Sequence, residues 1–229
     1  MTASARDRIM ASVRDGLLRA VLPDATADRA GRWEPPAQVP PREVLVDQFS
    51  RTLAALTGHV HRAATATKAA DIVIGVAAAH GAASCLSWGD EHLGCPGLLS
   101  LLAARGLARV TYEMSGDSVE RGRTAHDVGR VDLGLTGAHA ALADSGAIVL
   151  VCGPGRGRLA SLLPPIHVAI VSERRMWPAL PALVQAEPGL LDAGSNVVVV
   201  AGPSRTADIE MTLTHGVHGP KHVHVILVP

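Results

Sequence analysis

Residues 147–151 read Ala-Ile-Val-Leu-Val and residues 196–200 read Asn-Val-Val-Val-Val, and these two runs decide the fold class. Such short apolar runs are typical of strands covered on both faces. Five more strands are predicted, with helices between them. The strands are expected at 59–63, 84–88, 109–112, 166–171 and 222–228, and the helices at 67–79, 97–105, 136–144, 176–185 and 206–214. This alternation predicts an α/β domain on a mostly parallel sheet flanked by helices, with ligands beyond the carboxyl ends of the strands.

A helical extension is predicted before this domain. Residues 4–21 have the apolar spacing of an amphipathic helix, and residues 42–56 have that of a second helix. Five prolines between positions 23 and 41 exclude a regular helix or a central strand there. Gly58 is expected to form a left-handed cap after the second helix. We therefore divide the chain into an extension with a proline-rich connector, 1–58, and a main domain, 59–229.

The overall composition limits the classes of partner. The chain has 229 residues, of which 48% are hydrophobic and 18% are charged, and its 21 basic residues balance 21 acidic ones. This composition is typical of a folded domain. Without excess basic charge, and with only 2% aromatic residues, the chain lacks the usual features of a nucleic-acid-binding protein. We expect no nucleic-acid partner.

The cysteines limit the redox chemistry of the chain. Cys85, Cys95 and Cys152 are scattered, and no two have a CxxC spacing. They do not form a disulfide framework, and an iron–sulfur cluster, which normally takes four thiolates, is not expected in this chain. The charged N-terminal segment matches neither a secretory signal nor a membrane span, so we expect a cytoplasmic location. The composition identifies no cofactor.

The segment Gly-Pro-Ser-Arg-Thr-Ala-Asp-Ile-Glu, residues 202–210, is the strongest candidate site. It follows a predicted strand and precedes a predicted helix, so Ser204 can cap the helix and its first amides can bind an anion. Arg205 adds a guanidinium suited to a carboxylate or phosphate. Asp208 can stabilise the helix dipole, or act with Glu210 as acid, base or ligand. The motif predicts a site for a small anion.

Histidines are concentrated near the C-terminal end of the sequence. In Gly-Val-His-Gly-Pro-Lys-His-Val-His, residues 216–224, the glycines and Pro220 hold His218 in a stiff loop. His218 can exchange protons near neutral pH, or it can simply cap a helix end. The spacing of these histidines matches no zinc motif, so no metal is predicted.

Three other positions have both a structural and a functional interpretation. The loop of residues 153–158 contains three glycines and two arginines, and it can cradle a phosphate or serve as a connector. His167, at the entry of a predicted core strand, is either a buried histidine or part of the site. Asp144, at the end of the helix predicted at 136–144, is a turn former or a site carboxylate.

Three blocks of sequence carry a family resemblance: residues 134–151, 157–171 and 196–227. In order and spacing they resemble the LUD domain of the lactate utilization protein C family, also called the LutC or YkgG family, over about residues 59–227. The resemblance implies a NagB/RpiA/CoA-transferase-like, Rossmann-like fold. It also implies a role in oxidising L-lactate to pyruvate together with two iron–sulfur proteins, which would hold the clusters that this chain lacks.

The resemblance implies that the candidate site residues occupy signature positions of the family, and we assign their roles from their chemistry. Catalytic roles are expected for Asp208, Glu210 and His218. Ligand-binding roles are expected for Gly137, Asp144, His167, Gly202, Ser204, Arg205 and Thr206. Where relatives often read Glu-Thr-Gly-Thr, this chain has Asp-Ser-Gly-Ala at 144–147, which shortens the acid and removes a hydroxyl.

Three functional hypotheses remain open from the sequence. The first is a subunit, without a cluster, of a lactate-oxidising system. The second is a stand-alone enzyme of the isomerase, cyclo-ligase or CoA-transferase type that acts on a phosphorylated or CoA substrate. The third is a binding or regulatory module without catalysis. Fold analogy alone does not decide among them.

Overall fold

The computed structural model describes residues 4–20, 39–111, 117–207, 213–215 and 219–229. They fall in two compact units, one within Met1–Pro35 and one within Pro36–Pro229. The first unit contains helix α1 (Ala5–Arg19), which starts at a capping box between Ser4 and Asp7. The predicted first helix is therefore confirmed. Its apolar residues, such as Leu17 and Leu18, are exposed.

A six-stranded sheet with every strand parallel forms the centre of the second unit. Its strands are β1 (His59–Arg62), β2 (Ser84–Ser87), β3 (Ala108–Val110), β4 (Leu133–Gly137), β7 (Ile166–Ser172) and β12 (His222–Val228). The spatial order is β1-β12-β7-β4-β2-β3. This arrangement confirms the α/β class with a mostly parallel sheet.

A second sheet has four strands in the order β8-β5-β6-β9. They are β5 (Ala140–Leu142), β6 (Ala147–Cys152), β8 (Met176–Trp177) and β9 (Asn196–Val200). Every residue of β6 is buried, as its sequence predicts. The same prediction is wrong for β9, where every residue is half-buried or exposed, because β9 is the edge strand of this sheet.

Helices connect and cover the strands. They are α2 (Arg42–Ala55), α3 (Ala66–Ala79), α4 (Leu98–Ala104), α5 (Ser118–Val128) and α6 (Leu180–Ala186), with short 3₁₀ turns at 90–92, 158–161, 173–175 and 188–192. The predicted helix at 176–185 begins late, since its first two residues form β8. The Thr65 hydroxyl caps α3 by accepting a hydrogen bond from the backbone N–H of Lys68 at 3.2 Å.

Helix α2 belongs to the core of the second unit. Its side chains Leu45, Val46, Phe49 and Leu53 are all buried. The left-handed cap predicted at Gly58 is wrong, because Thr57 is the residue with positive φ, at 65°. Gly58 is needed for another reason: a Cβ there would collide with the Leu53 side chain. The boundary at residue 58 stays a prediction, although α2 shares the core of the strands that follow it.

Two segments predicted as helices form strands where the structure describes them. The segment 136–144 contains the end of β4 and all of β5, and the backbone approaches so closely there that a Cβ on Gly137 would collide with the His92 carbonyl oxygen. The described ends of the segment 206–214 form an antiparallel hairpin of β10 (Arg205–Ala207) and β11 (Leu213–His215). Ser204 therefore precedes a strand, and the expected helix terminus for an anion is not formed.

Candidate functional site

The Gly-Pro-Ser motif at 202–204 and the described residues Gly219 and Pro220 lie side by side at the amino-terminal edge of the parallel sheet. The backbone N–H of Ser204 donates to the carbonyl oxygen of Pro220 at 2.9 Å. Lys221 and His222 donate backbone N–H groups to the carbonyl of Pro165, at 2.8 and 3.1 Å, where β7 and β12 begin. This is the edge opposite to the one where ligands of parallel α/β domains usually bind.

A groove of about 580 Å³ opens beside these motifs. We call it the motif groove; Arg158, Ser161, Asn196, Gly202 and Ser204 are among its lining residues. Arg158 and Ser204 come from different segments of the chain and meet here. The groove therefore combines a guanidinium with hydroxyl and amide side chains, which suits an anionic ligand.

The structure separates the other predicted site residues. Arg205 and Thr206 follow the motif groove on β10, where only their backbone is described. Gly137 ends β4 at the opposite edge of the sheet. Asp144 is exposed in the turn between β5 and β6, where its N–H donates to the Pro178 carbonyl oxygen at 3.0 Å. The expected catalytic residues Asp208, Glu210 and His218 lie outside the described residues.

His167 lies inside the sheet. It is fully buried, and its Nε2 is 2.9 Å from the hydroxyl oxygen of Thr136 on the neighbouring strand β4. Burial lowers the pKa of His167 to about 4, so the imidazole is neutral at pH 7. Its Nδ1 is buried without a partner among the described residues. His167 does not line the motif groove.

The carboxyl-terminal edge of the sheet, where the sequence predicts ligands, carries a slightly larger cleft. The chain leaves β2 toward β3 on one side and β4 toward β7 on the other, so strand order reverses between β2 and β4. Ligands of open parallel sheets bind at such switch points. A cleft of about 630 Å³ opens here between the end of β2, the end of β3 and the loop 153–157.

Hydrogen bonds fix the walls of this cleft. The Trp88 Nε1–H donates to the Gly157 carbonyl at 2.9 Å, and the Gly89 N–H donates to the Gly155 carbonyl at 3.1 Å. Arg109 donates through Nε to the Ser87 hydroxyl oxygen at 2.9 Å. The glycine loop thus closes over the switch point.

A smaller pocket of about 140 Å³ shares Trp88 with this cleft. We call it the switch-point pocket. Its lining residues are Trp88, His92, Gly137, Ala138, His139, Val151 and Arg156. The Nε of Arg156 is buried and has no hydrogen-bond partner among the described residues.

His139 belongs to a three-residue polar network at the wall of the switch-point pocket. Its Nε2 lies 2.6 Å from Glu187 Oε2, and Arg175 Nη2 lies 2.6 Å from Glu187 Oε1. Arg175 also donates through Nε to the backbone oxygen of His139 at 2.8 Å. Burial would raise the pKa of Glu187, but the hydrogen bonds from His139 and Arg175 outweigh it and lower the pKa. Glu187 is a carboxylate that holds the imidazole in place.

A comparison with models of protein families shows which family the chain belongs to. The sequence model of the LUD domain matches residues 46–228. The chain belongs to the LUD-domain family. The match begins inside α2, the helix whose buried side chains pack with the sheet.

Several relatives of this LUD domain are named Lactate utilization protein C. The protein of that name from Geobacillus sp. (strain WCH70) is 30% identical over 80% of this chain and 78% of its own length. The one from Halalkalibacterium halodurans is 35% identical over 65% of this chain and 64% of its own length, and the one from Exiguobacterium sp. is 43% identical over 43% and 45%. Two of these three alignments thus cover less than two thirds of the relative.

A solved structure shares the fold. The crystal structure of a DUF162 family protein from Deinococcus radiodurans covers 82% of this chain and 99% of its own, with a TM-score of 0.58 and 22% sequence identity. At that identity the likeness concerns the fold alone.

The LUD domain also carries a group of five histidines, here called the histidine cluster: His59, His61, His80, His222 and His224. The ring of His224 stacks against those of His59 and His61, with centroids 4.7 and 5.4 Å apart. Burial, followed by the four neighbouring imidazoles, lowers the pKa of His224 to about 3. Its Nε2 is buried without a partner among the described residues.

Neither a metal centre nor a membrane span is found in the described part of the chain. There, no three His, Cys, Asp or Glu residues are grouped as they would be around a metal ion. Within the same residues, no helix has the length and apolar character needed to cross a bilayer.

Proposed function

We propose that this chain works in lactate utilization, as a subunit without an iron–sulfur cluster in the oxidation of L-lactate to pyruvate. The observation that carries the proposal is the LUD-domain match over residues 46–228, together with the relatives named Lactate utilization protein C. The three buried, scattered cysteines support a division of labour in which partner proteins hold the clusters. Free thiols also support a cytoplasmic location.

We further propose that a small anion binds in the motif groove. The support is the meeting of Arg158 and Ser204 in a cleft beside Gly202, with Arg205 and Thr206 next along the chain. Since no helix starts at Ser204, the binding free energy has to come from guanidinium and hydroxyl groups rather than from a helix dipole.

The oxidation determines which chemical groups are required. Removing a hydride equivalent from C2 of lactate also removes the hydroxyl proton, so a positioned base lowers the barrier. In the proposal, Asp208, Glu210 and His218 are the candidates for that base. The oxidation releases two electrons and two protons: the electrons pass to the iron–sulfur proteins, the base on this chain takes the hydroxyl proton, and the C2 proton goes to solvent.

The test is to purify the tagged full-length chain from cells grown on lactate. We expect brown material that contains two partner proteins, absorbs in the visible range and reduces a dye when lactate is added. The matched control is the same preparation from cells grown without lactate. A colourless chain recovered alone, without lactate-dependent activity, would contradict the subunit proposal.

The 630 Å³ cleft favours a second candidate function, a stand-alone enzyme for a phosphorylated or CoA substrate. This volume is within the range of about 300–1,000 Å³ typical of small-molecule sites. Turnover of such a substrate by the isolated chain would support this function over the first.

A further inference from the structure

We propose that the switch-point pocket binds a small carboxylate, with Arg156 as its counter-ion and His139 as a hydrogen-bonding partner for an oxygen on the adjacent carbon. This site is separate from the motif groove, since the two share no lining residue. It lies between the carboxyl ends of β2 and β4, where the strand order reverses.

The charge of the pocket favours an anion. Its described lining contains one guanidinium, from Arg156, and two imidazoles, from His92 and His139, but no carboxylate. The buried Nε–H of Arg156 lacks an acceptor among the described residues. Buried donors are nearly always hydrogen-bonded in native proteins, so a ligand oxygen is the expected partner.

The loop that carries Arg156 is held in place before any ligand binds. Gly153 and Arg156 exchange two backbone hydrogen bonds, N–H to O, at 3.2 and 2.9 Å. Between them Gly155 has φ +69°, a conformation that favours glycine. The Arg156 guanidinium lies against Gly153, where a Cβ would be 3.0 Å from Nη2. Such preorganisation reduces the entropy lost on binding.

The second polar group of the pocket is equally constrained. Both hydrogen-bond contacts of the His139 ring involve Nε2, which lies 2.6 Å from Glu187 Oε2 and 2.6 Å from Arg175 Nη2. Nδ1 is therefore the nitrogen left for a ligand. With the ring proton on Nε2, Nδ1 can accept a hydrogen bond from a ligand hydroxyl. In the other tautomer, Nδ1–H can donate to a ligand oxygen.

The pocket size limits the ligand to a few heavy atoms. Its volume of about 140 Å³ is well below the range of about 300–1,000 Å³ in which drug-sized ligands bind. The ligand therefore needs a carboxylate that binds Arg156 and an oxygen on the adjacent carbon that binds His139. A small 2-hydroxy or 2-oxo acid has both groups. The choice of lactate and pyruvate as members of this class rests on the proposed function.

Two arginines between β6 and β7 line different cavities, so substituting each one separately distinguishes the two sites. Arg156 lines the switch-point pocket, whereas Arg158, two residues further on, lines the motif groove. The experiment is calorimetric titration of the purified full-length chain with L-lactate, pyruvate and acetate at low ionic strength. We expect Arg156→Ala to weaken lactate and pyruvate binding at least tenfold. The control Arg130→Ala, at an exposed arginine that lines neither cavity, should change it less than twofold.

Two more variants separate binding from folding. Arg156→Lys keeps the charge and loses the planar fork, so it should restore only part of the affinity. His139→Asn should weaken binding of lactate and pyruvate more than that of acetate, which has no oxygen on its second carbon. Thermal melting of each variant identifies any that do not fold.

The possible outcomes distinguish the two proposed anion sites. Loss of affinity in Arg158→Ala with full affinity in Arg156→Ala would overturn this inference and support the motif groove. Wild-type protein that binds none of the three acids would also overturn it. Neither result affects the co-purification of iron–sulfur partners, which tests the proposed subunit function separately.

Discussion

At the scale of single residues, we expect the histidine cluster to influence how the protein responds to acid. In the histidine cluster, His61, His222 and His224 all have a lowered pKa, with burial as the largest cause. The groups that face His224 are the imidazoles of His59, His61, His80 and His222, and Lys221 acts on His222. No acidic group contributes to these shifts. Protonation of one ring therefore disfavours protonation of the next.

The cluster predicts a loss of stability at low pH. A histidine with a pKa of about 3 in the folded chain and about 6.5 in the unfolded chain binds a proton more readily when unfolded. Above pH 6.5 the ring is neutral in both states, so the free energy of unfolding keeps its full value. It falls by at most about 1.4 kcal/mol per pH unit as the pH drops toward 3.

The matched variants are His224→Leu and His126→Leu, because His126 is exposed on α5. We expect His224→Leu to flatten the fall in the free energy of unfolding between pH 7 and pH 5, and His126→Leu to leave the slope unchanged. Urea unfolding at a series of pH values measures this slope. An unaltered slope in His224→Leu would show that the cluster does not control acid stability.

Single residues were partly predictable from the sequence. His167 had a buried interpretation, and the structure places it in the core against Thr136. The network of His139 with Glu187 and Arg175 had no sequence signal, since its members are 36 and 48 positions from His139 and meet only through the fold. Arg156 was visible only as part of a glycine loop with two interpretations.

At the level of elements, the two helix predictions failed for different reasons. The alanine-rich segment 136–144 has local helix propensity, but tertiary pairing overrides it. The described ends of the segment 206–214 contain threonines, whose β-branched side chains favour strands. In the first segment, β4 pairs with strands on both sides. Strands with strong β-branched composition, such as β7 and β12, were predicted within one or two residues of their observed bounds.

Helix α2 provides a prediction about the extent of the folded unit. Phe49 is fully buried, whereas Val44 on the same helix is 48% exposed. Phe49→Ala should lower the free energy of unfolding by about 3–5 kcal/mol, since it removes a large buried ring and leaves a cavity. Val44→Ala should change it by less than about 0.5 kcal/mol.

Urea denaturation at pH 7 measures both variants. If Phe49→Ala and Val44→Ala unfold at the same urea concentration, α2 is an appendage rather than a part of the core. That result would place the start of the independent domain after α2, near residue 58, as the sequence suggested.

At the scale of the whole molecule, the sequence again predicted only part of the structure. The α/β class followed from the alternation of strands and helices. The second sheet did not, because the antiparallel pairing of β6 with β9 joins segments about 50 residues apart, and no local pattern encodes it. The strongest sequence motif lies at the motif groove on the amino-terminal edge, whereas the second cleft lies at the carboxyl-terminal edge, where the alternation of strands and helices predicted ligands.

The cysteines give a prediction for the folded molecule as a whole. Cys85, Cys95 and Cys152 are buried, and burial raises the pKa of each thiol, to about 11 for Cys85. The thiolate is the reactive form, so the native protein should react slowly with a thiol reagent at pH 8. We expect three thiols to react within minutes in denaturant and less than one in the native state. Rapid labelling of the native protein would contradict the burial of these side chains.

Strand β9 has a consequence for handling the protein. Among the described strands it pairs with β6 alone, so its other side presents backbone N–H and C=O groups, and Val199 is 44% exposed. An apolar strand with a free edge is a template for pairing with the same strand of another molecule, which is the first step of ordered aggregation. Solutions of this protein should therefore lose monomer during concentrated storage through this valine-rich edge.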